Sequence, residues 1–406
     1  MQKLNKRWQI FSSAPHRLFF FTGTMQALLA MLWWFSDLSG RFTDFDMPVN
    51  WVIPANDAHA FLMIYGFFAF FIFGFLMTTY PRWMQGEEVD RKLYIPAFSL
   101  LNAGILLFYI GLISNTFILT IALVIFLIGW SFGLYALLQV YLRAKHPDKR
   151  HATITSVMLV IAWVMIAGFI SGHFEMVRLA KIGGVWLFLL PLFFAVSHRM
   201  IPFFSANVLP NYDIIRPYRA LSLVLLFAII HAILEMGNLY AWLWLVDLPM
   251  AIIGFYLTVK WQSFKSLAHP LLAMLHISFV WFGIAMTLYT LQSFYLLLTG
   301  EYILLRAPLH ALVIGYFSSM LLAMITRVTL GHSGRPLILD MASWALFLSF
   351  QYVTILRIAA DIPGISSLFT GWLYLAAGSL WLLCFGVWSY KYAPIYLNPR
   401  ADGRAG

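Results

Sequence analysis

Residues 116–142 read TFILTIALVIFLIGWSFGLYALLQVYL, a stretch without a single charged side chain. Crossing a bilayer core of about 30 Å takes roughly 20 residues of α-helix. This stretch is therefore predicted to span a membrane as one helix. Similar apolar runs, separated by short patches that carry the charged residues, follow one another along the whole chain of 406 residues.

The composition excludes an ordinary soluble protein. Apolar residues make up 62% of the chain and charged residues only 10%, against roughly 25% charged residues in soluble domains. We therefore predict an all-α polytopic membrane protein in which residues 1–406 form a single integral membrane domain. The basic opening and the apolar run after it are interpreted as a retained first span. Twelve spans are predicted, at 17–38, 58–80, 93–113, 116–141, 152–174, 184–204, 219–237, 240–259, 270–298, 306–328, 338–360 and 366–390.

The distribution of lysine and arginine predicts that both termini are cytoplasmic. With the N-terminus inside, twenty of these residues fall on the cytoplasmic side and five on the outer side, as the positive-inside rule requires. The net charge of +10 is explained by this topology, and no nucleic-acid-binding signature accompanies it.

The single cysteine, Cys384, excludes an internal disulfide, a cysteine-rich zinc site and an iron–sulfur cluster. The chain also lacks a CxxCH motif, which excludes covalently attached c-type haem. Any metal is therefore expected on histidine, methionine, carboxylate or backbone oxygen.

The predicted topology places the histidines in two layers. The outer half holds one histidine from each of four spans, and these four are the candidate metal ligands: His59, His173, His231 and His310. The inner candidates for binding a cofactor are His16, His198, His276 and His332, with His269 at the same interface. His146 and His151 are predicted to be solvated loop residues. Ionisable residues inside a membrane tend to line functional interiors, and histidine is a common metal ligand, so the set predicts haem or metal ligation. The alternative is a set of hydrogen-bonded helix histidines.

Several other polar residues have two interpretations each. Glu235 follows His231 by four residues and shares its helix face, so the pair could pass protons or simply mark a helix end. Arg199 beside His198 would suit an anionic group such as a haem propionate, or could snorkel to the inner interface. Asp247 falls at a predicted span end and is assigned no function.

Two glycines follow the tenth predicted span. Gly331 and Gly334 are expected to end the helix and to present His332 on a tight turn at the inner face. Arg335 beside it suits an anionic group such as a propionate, or the negative end of the helix dipole.

Several stretches carry a resemblance to a known family. They are HRLFF (16–20), HAFLMIYG (59–66), GFLMTTYPRW (74–83), RMIPFFSANVLP (199–210), LLAMLHISFVWFG (271–283) and HALVIGYFSSMLLAMITRVTLGHSGRPL (310–337). Together they resemble the NnrS family, bacterial membrane proteins linked to nitric oxide and nitrosative stress and reported to carry haem and copper. Many relatives have a His-Ala-His-Glu-Met pattern, whereas this chain has Phe61 and Leu62 in place of its second histidine and its glutamate.

The resemblance implies a cofactor and its ligands. It implies haem b, one or two per chain, and leaves a copper ion as an open second metal. Of the candidate histidines, five match family stretches: His16, His59, His276, His310 and His332. The other three, His173, His198 and His231, follow from depth in the membrane alone.

The resemblance also implies a function. We expect a haem-containing protein of the bacterial inner membrane that binds and converts nitric oxide and protects against nitrosative stress. If the protein is an enzyme, it would be a membrane oxidoreductase similar to nitric oxide reductases, with quinol or another membrane electron donor. Two alternatives stay open: a proton-coupled secondary transporter without haem, and a membrane scaffold whose histidines are dispensable.

Overall fold

Helices account for most of the chain. The computed structural model describes residues 2–43 and 50–403, without the side chains of residues 2–6, 366 and 368, and in these residues it contains no strand. Arg404, one of the twenty basic residues assigned to the cytoplasmic side, lies outside the described residues. In chain order the helices are α1 (Gln2–Phe11), α2 (Pro15–Phe42), α3 (Ala55–Met84), α4 (Arg91–Ser114), α5 (Thr116–Arg143), α6 (Arg150–Ile170), α7 (Phe174–Ala206), α8 (Tyr218–Met236), α9 (Trp244–Lys260), α10 (Pro270–Thr299), α11 (Ala307–His332), α12 (Met341–Ala359) and α13 (Ser366–Leu397). Single helical turns at Tyr240–Trp242 and Ser263–Ser266 flank α9.

The predicted fold class is confirmed. Eleven of the described helices are long and apolar enough to cross a membrane, so the chain is an all-helical, multi-pass membrane protein. The remaining predicted span, 240–259, corresponds to α9. Its 17 residues extend about 26 Å, near the lower limit for a spanning helix. It packs against α8 and α10.

A separate short helix, which lies outside the predicted spans, precedes the first span. After helix α1, the hydroxyls of Ser12 and Ser13 donate to the carbonyls of Trp8 and Ile10 in its last turn, at 2.6 and 2.8 Å. Pro15 then occupies the first position of α2, where its missing N–H costs no hydrogen bond.

Both ends of the chain lie on the same side of the helix bundle. The guanidinium of Arg17, at the start of α2, donates to the backbone carbonyls of Tyr396 and Asn398 at the end of α13, at 3.1 and 2.8 Å. An even number of crossings requires this arrangement. We call this side inner and the opposite side outer, following the charge distribution.

Three helices form the centre of the bundle. In the most apolar stretch of each helix, 89% of the residues are buried in α3 and 83% in each of α7 and α11. The corresponding share is 28–39% in α4, α5, α6, α8, α12 and α13. The peripheral helices therefore face lipid, while the central three are surrounded by protein and can hold polar side chains away from the bilayer.

Each central helix contains a widened, π-helical segment. These segments are Leu62–Phe67 in α3, Gly184–Leu189 in α7 and Ala311–Ser318 in α11. Such segments are uncommon and are frequent at functional sites.

The α4–α5 hairpin is held by glycine contacts. A Cβ on Gly129 would lie 2.7 Å from the backbone nitrogen of Leu101, and one on Gly104 would lie 2.8 Å from the Cα of Phe126. Only glycine allows the two backbones to approach so closely.

Candidate functional site

The central helix α11 carries a histidine near each end. His310 lies in its first turn and His332 is its last residue. The 22 residue steps from His310 to His332 correspond to about 33 Å of helix, the thickness of a bilayer core. The predicted outer and inner layers of histidines therefore lie at opposite ends of one buried helix.

The inner pair consists of His332 and His16, the second residue of α2. Their ring centroids are 4.8 Å apart. The Nδ1 atom of His16 is buried and has no hydrogen-bond partner among the described residues. The Nε2 atom of His332 lies 3.4 Å from a guanidinium nitrogen of Arg82. Two imidazoles at this separation, one with an unused nitrogen, are suited to binding a metal.

The outer pair consists of His310 and His59. The ring of His59 stacks on Trp34 at a centroid distance of 4.1 Å, and its buried Nδ1 has no partner in the part of the chain that is described. His310 and His59 are close enough to interact electrostatically, and both interact in the same way with Arg357.

The hydrogen bond of His310 fixes which of its nitrogens is available. Its Nδ1 lies 2.9 Å from the backbone carbonyl of Arg306 and donates to it. The lone pair of Nε2 is then free. A histidine that ligates a metal typically makes this bond, which orients the ring and raises its basicity.

His276 has no free nitrogen. Its Nε2 lies 3.0 Å from the hydroxyl of Ser205, and its Nδ1 lies 2.9 Å from the hydroxyl of Ser263. The imidazole therefore links α7, α10 and the turn after α9. Binding a metal would require breaking one of these bonds.

The prediction for His151 was wrong. It was expected to be a solvated loop residue, but α6 begins at Arg150, and His151 is 1% exposed. Its Nε2 lies 3.0 Å from Nδ1 of His198, and its own Nδ1 is buried with no partner in residues 2–43 and 50–403. The sequence offered one signal: His151 immediately precedes the predicted span 152–174, and a residue in that position can belong to the first helical turn.

The loop before this pair has its own ion pair. The guanidinium of Arg150 donates to both oxygens of Asp148, at 3.0 and 2.9 Å. These bonds hold the pKa of Asp148 well below its usual range. They also place the guanidinium over the ring of Tyr218, which covers the two histidines.

Asp247 was assigned no function, but it is fully buried against His231. Its Oδ1 lies 2.7 Å from Nδ1 of His231, and neither residue is exposed. Glu235 lies 3.5 Å from the other ring nitrogen and accepts a hydrogen bond from Trp186, whose ring stacks on the imidazole at 3.4 Å. The shared face of His231 and Glu235 is therefore confirmed, and both nitrogens of His231 face carboxylates.

The four outer candidates for metal binding do not converge. His173 is exposed at the start of α7, and His231 is paired with Asp247. Among the described residues, no three histidine, cysteine, aspartate or glutamate side chains are grouped so that they could hold a metal ion. The described residues therefore offer pairs of imidazoles and no larger cluster of metal ligands.

The turn after α11 differs from its prediction. Gly331 is still helical and His332 is the last helical residue. Gly334 alone has a positive φ, of 71°, a conformation that glycine adopts without strain. Arg335 follows this turn, and one of its guanidinium nitrogens is buried with no partner in the described chain.

A cavity of about 1120 Å³ opens at the inner ends of α3, α7, α10 and α11. Five arginines are among its described lining residues, and we call it the arginine cavity: Arg82, Arg199, Arg216, Arg327 and Arg400. His269 and His332 also line it. The guanidinium of Arg199 stacks on Trp83, 4.8 Å from the ring centroid.

Comparison with known proteins identifies the family. A search among curated proteins finds no match. A family model described as "NnrS protein" matches residues 10–400, a range that includes α2 to α13 and both histidine pairs. The chain belongs to the NnrS family of membrane proteins, which supports a role in the response to nitric oxide.

Proposed function

We propose that the protein is a haem-binding protein of the bacterial inner membrane that binds and converts nitric oxide. The observation that carries the proposal is the geometry of His310, whose Nδ1 bond to the carbonyl of Arg306 leaves Nε2 free beside His59. His16 and His332 supply a second pair at the other end of α11. The family supplies the link to nitric oxide.

The described residues fit haem b in number and in chemistry. The pairs provide neutral imidazole ligands in an apolar interior, where nitric oxide concentrates. Arg357 at the outer pair and Arg82, whose guanidinium lies 3.4 Å from His332 at the inner pair, would neutralise the carboxylates of a bound haem. Bound haem would supply the iron at which nitric oxide coordinates. The surrounding helices would exclude water from that iron.

Proton-coupled transport is the second candidate. The buried group of His231, Asp247 and Glu235 favours it, since acid–imidazole chains in membranes often relay protons. A transporter without haem would be colourless.

The test is an absorbance spectrum of the protein purified in mild detergent. It is recorded oxidised, then reduced with dithionite, then with nitric oxide added. We expect a Soret band that shifts on reduction and shifts again with nitric oxide. A flat spectrum from folded protein would refute the proposal and favour transport.

Histidine variants then test the ligands. His310→Ala and His59→Ala should remove one haem signal, and His332→Ala and His16→Ala should remove another, with the protein still folded in membranes. His146→Ala is the matched control, because His146 lies in a loop, where its Nδ1 accepts a hydrogen bond from the backbone N–H of Asp148. If all four variants keep the full spectrum, the ligand assignment is wrong.

A further inference from the structure

The arginine cavity contains more positive charge than its own surroundings neutralise. No aspartate or glutamate is among its described lining residues. Arg400 is paired with Asp402 at 2.6 Å, and a guanidinium nitrogen of Arg216 donates to the carbonyl of Arg199. The other guanidinium groups have no ion-pair partner in the described chain. Like charges gathered in one cavity repel each other unless an anion binds between them.

Arg327 gives the clearest sign of a missing ligand. It lies in the last two turns of α11 and is only 7% exposed. Among the described residues its guanidinium makes neither a hydrogen bond nor an ion pair. Its Cζ atom lies over the ring of Phe204, 4.0 Å from the ring centroid. A charged group held away from bulk water without a partner is costly, and Nε of Arg216 in the same cavity is buried with no partner in the described chain. Arg327 lines the cavity, so an anion bound there would reach it.

The rest of the wall is apolar. Phe75, Met200, Leu271 and Leu272 line the cavity together with the arginines. At its edge, three apolar side chains remain exposed: Phe203 (45%), Leu337 (51%) and Ile338 (76%). The cavity therefore combines a basic part with an apolar part that continues to the surface of the bundle, as an amphiphilic ligand requires.

We infer that the arginine cavity binds the phosphate group of an anionic phospholipid from the cytoplasmic leaflet. Guanidinium groups bind phosphate through two parallel hydrogen bonds, and basic pockets between helices on the cytoplasmic side bind lipid headgroups. Arg327 contacts the phosphate, and the other four arginines of the cavity surround it. The acyl chains follow the apolar wall to the exposed edge.

Lipid binding to the delipidated full-length protein tests this inference. Native mass spectrometry would follow titration with dioleoylphosphatidylglycerol, with dioleoylphosphatidylcholine and with inorganic phosphate. We expect the anionic lipid to bind about tenfold or more tightly than phosphatidylcholine, and Arg327→Gln to weaken it by about ten- to a hundredfold, as expected for hydrogen bonds to a charged group. Arg327→Lys should restore part of the affinity.

Arg143→Gln is the matched control. Arg143 lies at the inner end of α5, is 66% exposed and does not line the cavity, so its loss should leave lipid binding unchanged. Each variant is first checked for a single folded species by size-exclusion chromatography, and Arg327→Met keeps the stem if Arg327→Gln fails to fold.

Three results would overturn the inference. Equal binding of phosphatidylcholine would show that charge plays no part. Displacement of the lipid by inorganic phosphate at similar concentration would assign the cavity to a soluble phosphate compound. A changed Soret band in Arg327→Gln with unchanged lipid binding would assign the arginines to haem carboxylates. The haem proposal fails separately, through a flat spectrum of the wild-type protein, which leaves lipid binding unaffected.

Discussion

Replacing Asp247 by alanine should destabilise the protein more than any exposed acidic substitution. The carboxylate is fully buried, and its contact with Nδ1 of His231 measures 2.7 Å. The ring of Trp186 covers one face of the imidazole at 3.4 Å, so the ring is held in place when the carboxylate is removed. Asp247→Ala therefore leaves a buried imidazole nitrogen without its partner.

The loss in the free energy of unfolding depends on the buried group that the substitution leaves unpaired. Removing one partner of a buried ion pair costs about 3–5 kcal/mol, because the other partner remains buried and unpaired. His231→Ala should cost a similar amount, since it leaves Asp247 and Glu235 close to each other without the imidazole. The double variant should lose less than the sum of the two single losses, because the second substitution removes the group stranded by the first.

The assay is equilibrium unfolding in mixed micelles, which gives the free energy of unfolding for each variant. Asp213→Ala is the control, because Asp213 is an exposed loop residue and its loss should stay within about 0.5 kcal/mol. A loss below about 1 kcal/mol for Asp247→Ala, or strictly additive losses in the double variant, would refute the reasoning.

Two further predictions concern packing and orientation. Gly129→Val should abolish accumulation of folded protein, because its Cβ would lie 2.7 Å from the backbone nitrogen of Leu101; unchanged yield in membranes would contradict the close α4–α5 contact. Cys384 is buried, so the wild type should react slowly with an impermeant maleimide. Asn115→Cys should react only from outside intact cells and Lys145→Cys only after lysis, and the reverse pattern would invert the predicted topology.

The helices could be predicted because each membrane span requires a long run of apolar residues, and such runs are visible in the sequence. The break between α8 and α9 shows how small the sequence signal can be: only Gly237 and Asn238 interrupt the apolar run, yet the helices are separated from Met236 to Trp244, and Asn238 adopts a positive φ of 57° there. The layering of histidines followed from counting residues along these helices. Both pairs at the ends of α11 contain residues selected in this way.

The partners of the polar residues could not be predicted in the same way. The contact of Asp247 with His231 joins two helices, and the hydroxyls of Ser205 and Ser263 reach His276 from different elements. Such contacts depend on how helices rotate and pack, which hydropathy does not encode. His151 was misassigned for a related reason, because helix boundaries are uncertain by one or two residues and one residue decided its burial.

The π-helical segment Ala311–Ser318 begins immediately after His310, and Leu62–Phe67 begins three residues after His59. A widened turn holds a residue that a regular α-helical turn would not accommodate. Deleting one residue from Ala311–Ser318 would let α11 close into a uniform helix while every remaining side chain is kept. A π-helical segment closes its hydrogen bonds over five residues and an α-helix over four, so the segment takes up an additional residue with little rotation of the helix on either side. Its loss would leave the direction of His310 relative to His332 largely unchanged, whereas deleting a residue from the regular part of α11 would turn the two histidines by about 100° relative to each other.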